Sequence, residues 1–176
     1  MFLEELKLDK YTDLQILEEE LLGINETFNK AQERLNIVNK TESVLSSIQK
    51  LLVTTKTISL DSYDTQYNKI TENILKIKEL AENIPYNCLT DFNKDEIIPQ
   101  GAICYNFSNI NYNSLIMTLP KTPPISKKDL ESFIKEIESK NNSLNLQLSQ
   151  LMSYKKKLEL TINNLSVTAI ASYLCS

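Results

Sequence analysis

The chain has 176 residues, of which 41% are apolar and 24% charged, with a net charge of -4 and no histidine. That length supports one domain with a modest core, and the interspersed charge gives no basic stripe of the kind nucleic acid needs. Without histidine the commonest general base and metal ligand is missing, and two glycines, Gly23 and Gly101, leave no phosphate-cradling loop, so neither an enzyme nor a cofactor is expected.

The first residues, MFLEELKLDK, are acidic where a secretion signal is basic, and no export is expected. From Leu14 the apolar residues step by three and four through Leu17, Leu21, Ile24, Phe28, Ala31, Leu35 and Val38, then Leu45 and Leu52. This is a coiled-coil seam, and it predicts a helix over 12–53. Glu42 and Gln49 fall on the same seam as polar interruptions, and buried polar groups can fix register. Gly23 lies off the seam, where it weakens a helix by about 1 kcal/mol without ending it. The β-branched, hydroxyl-rich run VTTKTIS at 53–59 predicts a kink or a short loop. A second helix is expected over 63–84 from Tyr63, Tyr67, Ile70, Ile74, Ile77, Ala81 and Ile84, ended by Pro85.

Between Ile97 and Pro120 the sequence contains no Asp, Glu, Lys or Arg. Two runs within it, AICYNF at 102–107 and SLIMTL at 114–119, are suited to a pleated surface and are joined by turn-tolerant SNINYN, which predicts a β-hairpin. A lone hairpin is marginal and exposes unpaired strand edges, so this neutral stretch is expected to be an assembly surface carried by Ile103, Tyr105, Phe107, Leu115, Ile116, Met117 and Leu119. Ser126 with Asp129 then approximates a capping box at the start of a third helix over 126–172. Its seam runs Leu130, Ile134, Ile137, Asn141, Leu144, Leu148, Leu151, Lys155, Leu158, Ile162, Leu165 and Ala169, with Asn141 and Lys155 as further candidate register-setting residues. The fold expected is therefore mainly α, a single elongated unit over 1–176 in which long antiparallel coiled-coil helices flank a small central β-hairpin. No run is apolar enough to span a membrane. Cys88, Cys104 and Cys175 form no close pair and fit reduced thiols in the cytoplasm or nucleus.

Taken in order, the neutral hairpin GAICYNFSNINYNSLIMTLP, the capped start ISKKDLESFIKEI and the heptad helix that follows resemble an α-type prefoldin subunit over roughly residues 97–170. That resemblance implies a hetero-oligomeric chaperone whose hairpins assemble into one body and whose helical arms hold unfolded client proteins. Antiparallel pairing would then place Phe2, Leu3 and Leu6 with Ile170, Tyr173 and Leu174 as client-contacting tips. The alternative is a scaffolding coiled-coil subunit of a kinetochore, transcription-coregulator or tethering complex, which the additional helix at 63–84 favours. In both readings the partners are other coiled-coil subunits, with no nucleic acid and no membrane.

Overall fold

The computed structural model describes residues 2–84, 88–90, 104–106, 110–120 and 125–174. Helix α1 (Phe2–Lys56) and the last helix, α4 (Lys127–Leu174), dominate the fold. Their 55 and 48 residues give rods of about 80 and 70 Å at 1.5 Å per residue. Between them lie a 3-10 turn (Leu60–Ser62), α2 (Tyr63–Glu82), strands β1 (Cys88–Thr90) and β2 (Cys104–Asn106), and the short α3 (Asn113–Thr118).

α1 and α4 pair along much of their length in opposite directions, so that Glu42, Gln49 and Lys56 meet Lys155, Asn145 and Glu138 in turn. The chain reverses after Lys56, three residues beyond the predicted end of the helix. Thr54 and Thr55 donate their hydroxyls to the carbonyls of Lys50 and Leu51, both at 2.7 Å, and Thr57 donates to Thr54 O at 2.8 Å. These bonds carry the β-branched residues inside or just beyond the last turn. Ser59 and Ser62 then close the 3-10 turn through their hydroxyls, 2.9 Å apart. α2 runs back along α1, where Asn73 Nδ2 donates to Thr55 Oγ1 at 3.4 Å. The run 53–59 thus reverses the chain and does not merely bend it.

The core is one cluster that draws on α1 (Val38, Leu45, Ile48, Leu52), α2 (Ile70, Ile74, Ile77), α3 (Leu115) and α4 (Phe133, Ile137, Leu144, Leu151, Tyr154, Leu158). From Val38 to Leu52 the seam predicted for α1 is right at every second position and one residue late at the others. The buried line is Val38, Thr41, Leu45, Ile48, Leu52 and Thr55, so Glu42 and Gln49 stand beside it, half-buried. Threonine can occupy that line because Thr41 and Thr55 satisfy their hydroxyls on the carbonyls four residues back, at 2.8 and 2.7 Å, and leave their methyl groups for packing. α4 shows the same half-step. Phe133 and Tyr154 are fully buried where Ile134 and Lys155 were expected.

The hairpin expected from 102–107 and 114–119 does not form. SLIMTL belongs to α3, and β2 pairs antiparallel with β1, with Cys88 opposite Asn106, Leu89 opposite Tyr105 and Thr90 opposite Cys104. The physical reason lies in spacing: Tyr112, Leu115 and Leu119, three and four residues apart, turn a single helical face into the core and are 4%, 0% and 6% exposed. Asn111 starts the turn by accepting the Asn113 N–H at 3.0 Å. Residues 91–103 and 107–109, which hold half of the first predicted strand, lie outside the described residues.

Candidate interaction surface

A polar ladder along the α1/α4 pair sets the frame for the surfaces around it. Lys56 Nζ lies 2.8 Å from Glu138 Oε1, Gln49 Nε2 donates to Asn145 Oδ1 at 2.5 Å, and Lys155 Nζ donates to Glu42 Oε2 at 2.7 Å. The rungs are one heptad apart on α1, and stepping along them moves steadily backward on α4. Three of the four residues expected to set register, Glu42, Gln49 and Lys155, therefore bridge the two helices. Asn141 does not: its Oδ1 is buried with no hydrogen-bond donor among the described residues. Asn145 and Glu138 were not singled out from sequence, although their places on the seam-flanking face of α4 made them candidates for α1 partners.

The end where the chain reverses is closed by a tyrosine-rich joint. Tyr63, at the start of α2, donates its hydroxyl to Pro120 O, tying α2 to the segment after α3. Its ring tilts against that of Tyr67 with centroids 5.7 Å apart. Burial, then the neighbouring Tyr67 and Asp64, push the Tyr63 hydroxyl up to about 12. Burial alone pushes the Tyr112 hydroxyl well above the usual phenolic range. α3 is latched to α4 through Ser114, which donates to Glu136 Oε1 at 2.9 Å. Lys140, by hydrogen bond, and then Ser114 hold the Glu136 carboxyl below the usual carboxylate range.

The residues expected to form the assembly surface are divided among these environments. Leu115 and Leu119 are core residues of this chain, Ile116 packs against that core, and Met117 alone of the α3 group stands out, at 86% exposed. Tyr105 sits at the middle of β2 opposite Leu89, while Ile103 and Phe107 lie outside the described residues. A contiguous apolar strand face is thus not what α3 offers to a partner.

At the opposite end the helices are less completely packed. No α1 residue from Asp13 to Glu26 is buried. Leu14, Ile16 and Leu22 on α1, and Leu160, Val167, Ile170 and Tyr173 on α4, each keep more than half of their surface in solvent. Ile16, Gly23, Ile24, Thr27, Leu165 and Thr168 line an open groove of about 530 Å³ between the two helices, with Glu19 and Glu20 beside them. Of the expected tip, Ile170 and Tyr173 are exposed on α4, and the side chains of Phe2, Leu3, Leu6 and Leu174 lie outside the described ones.

Among the described residues, no group of three or more His, Cys, Asp or Glu side chains could hold a metal ion, and no helix is long and apolar enough to cross a membrane. No known protein family matches this chain, and no curated protein does. The functional reading therefore rests on surfaces.

Proposed function

We propose that this protein is a non-enzymatic coiled-coil subunit that joins other chains into a complex. The observation that carries this reading is the contrast along the α1/α4 pair. From Val38 to Thr55 α1 carries a continuous buried line shared with α2 and α4, with Val53, Leu146 and Met152 left exposed, whereas from Asp13 to Glu26 no α1 residue is buried and Leu14, Ile16 and Leu22 are open to solvent. A rigid, self-sufficient head with an incompletely covered arm suits a scaffold or tether that holds partners at a set distance. The scaffolding role stands ahead of the prefoldin-like one because SLIMTL, a strand of the hairpin in that resemblance, falls in and at the end of α3.

A client-holding chaperone role is the second reading. Ile170 and Tyr173, 60% and 76% exposed near the end of α4, favour it, since burial of apolar client surface needs no nucleotide. Purification of the full chain with its native companions, followed by an aggregation assay on a chemically unfolded client, separates the two. Stable companions without aggregation suppression support the scaffold. Suppression by the assembly supports the chaperone, and a lone chain that does neither overturns both.

A further inference from the structure

The open groove at the arm end has a chemistry that identifies its occupant. Along α1 from Asp13 to Glu26 there are five acidic side chains and no basic one, and α4 from Leu158 to Leu174 adds only Glu159. Glu19 and Glu20 border the groove, both exposed, while Ile16, Ile24 and Leu165 give it an apolar floor. The space beside Gly23 is open, since a Cβ built there meets nothing within 4 Å. A second copy of this chain docking by the same end would bring another set of carboxylates against the first, and like charges placed together disfavour that pairing.

We propose that this groove takes a short amphipathic helix from a partner chain, with an apolar stripe flanked by Lys or Arg. The partner would supply at the arm end the third helix that α2 supplies at the head. α1 rises about 17 Å from Ile16 to Thr27, so the occupant needs about three turns, with apolar anchors at i, i+3 or i+4, and i+7. Its anchors fill the space beside Gly23, and its basic flanks face Glu19 and Glu20, which orient it and speed encounter. The inference rests on the reading of this protein as an interaction subunit and names the chemistry of one partner.

The test uses the full chain and a fluorescein-labelled synthetic helical peptide with leucines at i, i+3, i+4 and i+7 flanked by lysines, titrated by fluorescence anisotropy at two salt concentrations. Binding should weaken with salt and fall about tenfold in the double variant Glu19→Lys with Glu20→Lys. It should fall at least about as far in Gly23→Leu, which fills the groove while keeping the helix. Glu131→Lys, a like charge change on exposed surface at the head end, should leave affinity within about twofold. Circular dichroism of each variant checks that the helices persist. Equal binding by Gly23→Leu, or by a peptide carrying glutamate in place of lysine, would overturn the proposal. So would self-association of the chain that Gly23→Leu abolishes, since a second copy would then be the occupant. Loss of peptide binding while the native complex remains intact removes the groove assignment alone; failure to recover any native complex removes the interaction-subunit reading as well.

Discussion

Glu42 and Lys155, 113 residues apart in the chain, meet at 2.7 Å across the α1/α4 interface with about 30% of each side chain exposed. Being half-buried and beside the apolar line, this pair is expected to add little to net stability and to act mainly on helix register. Reversing Glu42 to Lys should destabilise the fold by about 1 kcal/mol, and adding Lys155→Glu should recover most of the loss. Urea unfolding of the two single variants and the double variant measures the coupling; strict additivity would remove the pair from the set of register determinants.

The half-step in the seam makes a sharp contrast between neighbours. Ile48 is fully buried, whereas Gln49 is half-buried and bonded to Asn145. Ile48→Ala should cost about 2–4 kcal/mol, the range for an aliphatic core truncation. Gln49→Ala should cost no more than about 1 kcal/mol, since it removes one solvent-accessible hydrogen bond. Chemical denaturation checks both, and the reverse order would place the seam where the sequence alone put it.

Asn141 is expected to behave unlike the other polar seam residues. Its buried oxygen lacks a donor among the described residues, so Asn141→Leu should stabilise the chain by about 1–2 kcal/mol, as removal of an unsatisfied polar group does. A destabilised variant would show instead that Asn141 carries a polar contact needed by the fold. Thermal unfolding of the purified variant decides between these.

The tyrosine joint should be visible at high pH. Tyr63 is raised from its ordinary value of 10.0 to about 12 by burial, so the folded state holds its proton more tightly than the unfolded chain does. The stability this gives is fully present below pH 10 and is lost as pH rises from 10 through 12. Tyr112, shifted in the same direction, adds to the slope. Tyr63→Phe should flatten the fall in urea midpoint between pH 9 and 11. At neutral pH it should cost about 0.5–1.5 kcal/mol through the lost bond to Pro120 O.

At the start of α4, Ser126 Oγ accepts the Asp129 N–H at 3.0 Å and donates to Asp129 Oδ2 at 2.5 Å. Ser126→Ala should therefore cost about 1 kcal/mol and Ser126→Asn much less, readable as a shift in thermal midpoint.

What could be read from the sequence follows from which signals are local. The three principal helices and the cap at Ser126 are written in periodicity and in adjacent residues; α2 and α4 appear close to the expected bounds, whereas α1 begins at Phe2, ahead of the expected start at residue 12. The fine phase of the seam was hidden because Thr41 and Thr55 count as polar in a residue alphabet, yet bury their methyl groups once their hydroxyls return to the backbone. α3 was misread because Ser114 to Leu119 is suited to a strand by composition. Its helical signal, Tyr112 with Leu115 and Leu119, begins in a stretch that looked like a turn. The groove beside Gly23 depends on how far the core continues along two helices brought together from opposite ends of the chain, and no local pattern encodes that.

The central claim, that the arm end is the surface this protein offers to partners, is tested most directly by hydrogen exchange on the chain alone and in its native complex. Amides of residues 13–27 and 160–170 should exchange faster than those of 38–52 and 130–151 in the isolated chain, and should become protected in the complex. Protection at the arm end equal to that of the head before any partner is present, or an unchanged arm end in a complex that protects another surface, would contradict it.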